Sequence, residues 1–269
     1  MRRLNRRRGN FQMNLWKYRL AQLVSSAMFN RKASLSGRSV LMYHSIGDNK
    51  QKDLYTLSEQ FFSDHVALLN ELNQSNLLKT VELTNAVLSG VSITFDDGYA
   101  DTLTTAAPLL CKNNLPFTVF VTPQNVLSGD KKYLTKSQLV ELSKMPGVSI
   151  GGHGFSHNHL AIISISEAQN ELNQSKAWLE DSIGKSVDSM SYPHGSYNSD
   201  VVKIAGEIGF KFAATSDWGR FDATTELLLI PRIDVWNYDS RHTLHQKLMG
   251  KWDWINKLSD HSVVEVDKK

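Results

Sequence analysis

The sequence predicts an α/β fold built on a parallel sheet, and three observations predict it. From residue 38 onward, short apolar runs alternate about seven times with stretches of helical spacing, the order expected of strands joined by crossover helices. Most of the apolar runs are continuous rather than alternating, as strands covered on both faces must be. The helical stretches also carry recognisable start and stop signals. A closed barrel and an open doubly wound sheet both satisfy this pattern, and both gather ligands at the carboxyl ends of their strands.

The strands are expected at Ser39–Tyr43, Val91–Phe95, Phe117–Val121, Val148–Ile150, Val187–Tyr192 and Phe212–Thr215, with a weaker one at Leu227–Ile230. Three capping boxes announce helices: Thr56 with Glu59, Thr135 with Gln138, and Ser164 with Glu167. After the first, Phe61, His65, Val66, Leu68, Leu69 and Leu72 recur at helical spacing. Further helices are read at Glu167–Ile183 and Ser199–Ile208, stopped by Gly184 and Gly209. Cys111, the single cysteine, falls in a helical run at Asp101–Asn113; it excludes an internal disulfide and reads as a small buried apolar residue.

The net charge of +3 conceals an asymmetry. Ten of the 30 Lys and Arg residues lie in 1–38, which contains no Asp or Glu, so 39–269 carries 20 basic against 27 acidic residues. The division expected is a basic arm over 1–37, disordered or membrane-associated, and a catalytic domain over 38–269. The arm's charge suits an anionic membrane surface; nucleic acid is not expected as a partner. Lys17, Arg19 and Gln22 interrupt the only apolar stretch near the start, Leu15–Phe29, which argues against a signal peptide, and no run is long enough for a membrane span. The expected location is the cytoplasm, peripheral to the inner membrane face.

Two motifs carry the chemistry. Thr94–Gly98 (TFDDG) places adjacent carboxylates, Asp96 and Asp97, at the end of a strand. Neighbouring carboxylates repel, and a cation that neutralises one while the other takes a proton accounts for the pairing. Ile150–His159 (IGGHGFSHNH) also follows a short strand and sets His153 and His157 four residues apart. Imidazoles are common ligands of zinc and its neighbours. A carboxylate and two histidines leave open positions on a metal for water and substrate, which describes an amide or ester hydrolase.

With these residues in place, the sequence resembles the polysaccharide deacetylase family, of the NodB-homology type and carbohydrate esterase family four. That family carries T-F-D-D-G followed by H-[S/T]-x-x-H on a distorted (β/α) barrel. Here the first motif is complete, and the second departs only at Gly154. Leu41–Ile46, Thr118–Val121, Tyr133–Leu142 and Tyr192–Tyr197 resemble family segments in the same order, extending the likeness over roughly 38–235. The resemblance implies a distorted barrel of about seven parallel strands. It also implies Asp96 as catalytic base, and Asp97, His153 and His157 as ligands of one divalent ion, zinc first, with cobalt, nickel, manganese or iron as alternatives. The implied reaction removes the acetyl group of an N-acetylated sugar; O-acetyl ester hydrolysis and non-catalytic glycan binding are the alternatives.

Three departures from the family pattern bear on the site. Ser191 and His194 stand where the family usually has Arg and an aromatic residue around its third-motif proline. Arg232 is therefore the expected partner of Asp96, and the main-chain N–H of His194 the expected donor to the developing oxyanion. The late Leu-x-His motif that supplies the family's acid has no convincing match at Leu244–His245, leaving His44 and His194 as stand-ins. Ser216–Trp218 resembles a groove-lining element, and Trp236, Trp252 and Trp254 read as packing residues.

Overall fold

A computed structural model describes residues 5–6, 15–27, 37–48, 53–257 and 263–264. Seven parallel strands form a closed barrel: β1 (Ser39–Tyr43), β2 (Val91–Phe95), β3 (Phe117–Val121), β4 (Val148–Gly152), β5 (Ser189–Ser191), β6 (Phe212–Trp218) and β7 (Ile230–Asp234). Each pairs with the next in sequence, and β7 closes the ring on β1 through Ile233 opposite Leu41 and Asp234 opposite Met42. Every residue of β1, β2 and β3 is buried, so their unbroken apolar character reflects a barrel interior on one side and helices on the other. The weak strand read at Leu227–Ile230 is displaced: pairing begins at Ile230 and runs through Pro231, Arg232 and Ile233 to Asp234. The charged residues that made this stretch look unlike a strand are those the barrel turns to use.

The helices are α1 (Leu15–Ala27), α2 (Glu59–Gln74), α3 (Ala107–Lys112, preceded by a π-helical turn at Thr102–Ala106), α4 (Pro123–Leu127), α5 (Lys136–Leu142), α6 (Ile165–Ile183), α7 (Ser199–Ile208) and α8 (Arg241–Leu248). Both halves of the capping box form at Thr135/Gln138 and at Ser164/Glu167, and α6 and α7 end in left-handed Gly184 and Gly209. The first box does not form. Ser58 caps α2 by accepting from the Phe61 N–H, while Thr56 lies in a two-residue strand and donates its hydroxyl to Asp53. Cys111 is half-buried rather than buried, with its thiol directed at the Pro146 carbonyl.

Within the segment read as a basic arm, Leu15–Ala27 is a helix packed on the barrel's outer layer; 1–4, 7–14 and 28–36 lie outside the described residues. Its buried Tyr18 hydroxyl lies within hydrogen-bonding distance of the Tyr238 carbonyl (2.7 Å), Asp239 Oδ1 (3.0 Å) and Thr243 Oγ1 (3.1 Å). Asp239 also pairs with fully buried Lys247, whose ammonium sits 3.8 Å from the centroid of the Trp236 ring, near Trp218 and Trp252. Trp218 and Trp236 therefore pack in this layer, and Trp218 does not line a groove. No described helix is long and apolar enough to cross a membrane.

The same layer holds a pH-sensitive contact. His65 is buried on α2, donating Nε2–H to the Asp239 carbonyl (2.8 Å) and accepting at Nδ1 from the Tyr43 hydroxyl (3.1 Å), which specifies the neutral ring. Burial pushes its pKa down to about 4, against the opposing pull of Asp239. A histidine depressed in the folded state contributes stability that is complete above its unfolded pKa, about 6.5, and is lost as pH falls toward 4. Chemical denaturation at pH 5 should show about 2 kcal/mol less stability from this group than at pH 7.5. A His65→Leu variant should show a correspondingly flatter pH dependence, whatever its absolute stability.

Candidate active site

The site lies at the carboxyl ends of the strands and is assembled from β2, β4, β5 and β7. Asp96 and Asp97 follow β2. The Asp96 N–H is tied to the Tyr43 carbonyl of β1, and the chain then turns through Asp97 at φ 74°. His153 follows β4, with its N–H on the Val121 carbonyl of β3, and His157 stands at φ 62°. Positive φ costs a branched or bulky side chain energy, and its recurrence at two such residues marks a backbone held in place by its surroundings. Gly154 between them has φ 63°, and a Cβ there would come within 3.1 Å of Pro193. The family's Ser or Thr would be strained at this position, which accounts for the departure.

Asp97 Oδ1, His153 Nε2 and His157 Nε2 converge. The carboxylate oxygen lies 3.4 Å from the first imidazole nitrogen and 3.1 Å from the second, and the nitrogens are 3.2 Å apart. Ligands about 2.0–2.1 Å from one ion at angles between 90° and tetrahedral are separated by about 2.9–3.4 Å, so the three atoms have the spacing of one face of a coordination sphere. Asp97 Oδ1 is buried and has no hydrogen-bond partner. His153 Nδ1 donates to the Ser191 carbonyl at 2.8 Å, which leaves the Nε2 lone pair free to bind. Burial disfavours a charged His153, yet Asp96 and Asp97 outweigh it and raise its pKa. The pocket is thus electrostatically suited to a cation, and the donor set fits a divalent ion.

Asp96 is placed differently. Arg232 grips it with both arms, Nη1 to Oδ1 at 2.7 Å and Nη2 to Oδ2 at 2.8 Å, and Ser191 donates to Oδ2 at 3.2 Å. Both partners of the ion pair are almost completely buried, and Arg232 also donates to the Thr215 carbonyl and to Ser191 Oγ. Burial alone would raise the Asp96 pKa; Arg232 first, then His153 and His44, overcome it and hold the carboxyl below its ordinary value. Ser191 occupies the position where the family usually has its arginine, and its small side chain leaves room for a guanidinium arriving from β7.

The other sequence candidates are distributed around this centre. His194 has φ 57° and is exposed; its ring stacks on His159 (3.9 Å between centroids) and meets His157 edge-on (4.2 Å), with Nε2 on the His157 carbonyl. His44 follows β1, packs against Tyr55 at 4.6 Å, and has a buried Nδ1 without a partner. His245 is on α8 and faces a groove lined with Leu68 and Leu72 of α2, outside the site.

One contributor left no motif in the sequence. Glu171 of α6 accepts from the N–H groups of Phe155 (3.0 Å) and Ser156 (2.9 Å), from the Ser156 hydroxyl, and from Asn158. It holds the loop that carries His157, whereas in sequence it is one more acidic residue on an amphipathic helix. Glu171→Ala should weaken divalent-ion affinity by about tenfold or more, read by calorimetric titration with zinc. Glu171→Gln should lose less, because its amide oxygen can still accept both main-chain N–H groups.

Three donor atoms placed to hold one cation thus stand beside a second, arginine-held carboxylate at the mouth of a (β/α) barrel, an arrangement able to support hydrolysis. The family model described as "Polysaccharide deacetylase" matches residues 88–213, which include both motifs. The relative named "Putative polysaccharide deacetylase YxkH" of Bacillus subtilis (strain 168) is 28% identical over 204 residues, covering 73% of this chain and 70% of that one. Among solved structures, the Streptococcus pyogenes deacetylase PplD in complex with acetate superposes with a TM-score of 0.68 at 24% identity, covering 80% of this chain and 99% of that one. BC0361, a polysaccharide deacetylase from Bacillus cereus, gives 0.68 at 24% identity, covering 79% and 69%. At these identities the structures show the shared barrel. The chain is thus similar to polysaccharide deacetylases, by the family model over residues 88–213 and by a relative 28% identical to it.

Proposed function

We propose that this protein removes the acetyl group from an N-acetylated sugar unit with one divalent ion, zinc first among those the donors suit, held by Asp97, His153 and His157. The observation that carries the reading is the division of labour between adjacent carboxylates: Asp97 turns its unpartnered oxygen to the two imidazoles, while Asp96 is held by Arg232. When bound, such an ion supplies Lewis acidity, lowering the pKa of a water molecule and polarising the acetyl carbonyl.

Asp96 acts as general base. Its three hydrogen bonds leave acceptor capacity on a carboxylate with about four lone-pair sites. Arg232 keeps it ionised and fixes its orientation, and the His194 main-chain N–H faces the developing oxyanion. Of the two stand-ins for the missing acid, His194 already engages its Nε2 with a carbonyl, whereas His44 has an unpartnered nitrogen and lies close enough for its charge to lower the pKa of both Asp96 and Asp97. His44 is therefore assigned the proton delivered to the leaving amine. The acetate seen with PplD is the product expected here.

The test is acetate release from matched N-acetylated and O-acetylated saccharides by metal-loaded protein. Release from the N-acetyl set that is lost in His153→Ala supports the reading, and release from O-acetyl sugars alone replaces the substrate class. His44→Gln should lower turnover of amides by about a hundredfold and spare activated aryl acetates, whose leaving groups need no proton. Equal losses on both would remove His44 from the acid role.

A further inference from the structure

α1 has two apolar faces, and only one is used by the barrel. Tyr18, Ala21 and Ser25 are buried against α8 and the C-terminal turn, where Ser25 Oγ accepts from Trp254 Nε1 at 3.0 Å. At about 100° per residue, Trp16, Leu20 and Leu23 fall on the opposite side of the helix. They are 62%, 54% and 70% exposed. Two turns of one helix thus present an indole and two leucines to solvent, with Arg19 exposed on one flank and Lys17 half-buried on the other. This double pattern explains why the apolar residues scatter around the helical wheel in sequence.

We propose that the outward face of α1 is a docking surface for an anionic lipid bilayer. An apolar ridge bearing Trp and Leu between cationic flanks is the arrangement that sinks to the boundary between headgroups and acyl chains. The charge complement is on the same segment: ten basic and no acidic residues in 1–38, where Arg19 is exposed, Lys17 half-buried and Arg38 buried, against an excess of acid in the remainder. Electrostatic attraction to phosphate headgroups and burial of the ridge act together, and neither requires the helix to leave the barrel, because the docked and outward faces are separate. The inference is independent of the catalytic reading, since lipid binding needs neither metal nor turnover.

The experiment is co-sedimentation of the full chain with phosphatidylcholine vesicles, with and without phosphatidylglycerol, at low and high salt. Binding is expected only to the phosphatidylglycerol vesicles and should weaken as salt is raised. Trp16→Glu combined with Leu23→Glu should lower affinity at least about tenfold, because burial of both side chains is lost. The variant's thermal midpoint and its activity on a soluble saccharide should stay close to the wild-type values, because both side chains are largely exposed. Absence of binding to anionic vesicles, or equal binding by wild type and variant, overturns the proposal. So does a wild-type dimer that the double substitution converts to monomer, which would assign the ridge to a second copy of this chain.

Discussion

Asp96→Asn should lower turnover of an N-acetylated saccharide by about a thousandfold while leaving metal content unchanged. The substitution keeps the shape of the side chain and removes its basicity. The three atoms proposed to hold the ion belong to Asp97, His153 and His157, so calorimetry should still find one divalent ion per chain. Stability should fall as well, because Arg232 is completely buried and loses its counter-charge. Removing one partner of a buried pair typically costs about 3–5 kcal/mol, so activity must be measured where circular dichroism shows the variant folded. Turnover at the wild-type rate in a folded, metal-replete Asp96→Asn protein would eliminate Asp96 as the base.

Arg232→Met should be nearly as damaging, by a different route. It strands the Asp96 carboxylate in a buried site, at a cost of about 3–5 kcal/mol at neutral pH. It also changes the pH profile. Arg232 is the largest of the influences that hold the Asp96 pKa below its ordinary value, and with it gone, burial pushes that pKa upward. The base is inactive when protonated, so the acid limb of kcat/KM should move to higher pH in the variant, whereas a merely loosened fold would lower the curve without shifting it. The double variant Asp96→Asn/Arg232→Met leaves no buried charge unpaired. Its loss of stability should be smaller than the sum of the two single losses by about 2 kcal/mol, with no recovery of activity. Strictly additive losses would mean that the two side chains do not depend on each other.

How much of this was legible in the sequence depended on whether the signal was local. The strand ends at Phe95 and Gly152 and the convergence of Asp97, His153 and His157 just beyond them could be read because each motif lies within a few residues of a strand. The capping boxes at Thr135 and Ser164 were local and formed, while the one at Thr56 was outcompeted by Ser58, two residues nearer the apolar series. Other features depend on residues far apart in sequence. β7 was misplaced because Arg232 and Asp234 interrupt its apolar character, yet Arg232 is buried by an ion pair with a residue 136 positions away. Glu171 supports the histidine loop only because α6 packs beneath it, and no spacing within α6 records that. For α1, the scattered apolar pattern was visible, but two opposed faces become distinct only once one of them is seen to be occupied.

The origin of Arg232 on the last strand has a consequence for how activity is acquired during synthesis. The proposed ligand triad is complete once the chain reaches His157, but Asp96, the proposed base, has no counter-ion until residue 232 has been made and β7 has slotted between β6 and β1. A growing chain, or one truncated before β7, can therefore carry its metal ligands while its base remains unprepared. Ring closure and the pairing of Asp96 are one event, so on the proposed function deacetylation by a refolding sample should report completion of the barrel rather than filling of the Asp97, His153 and His157 site.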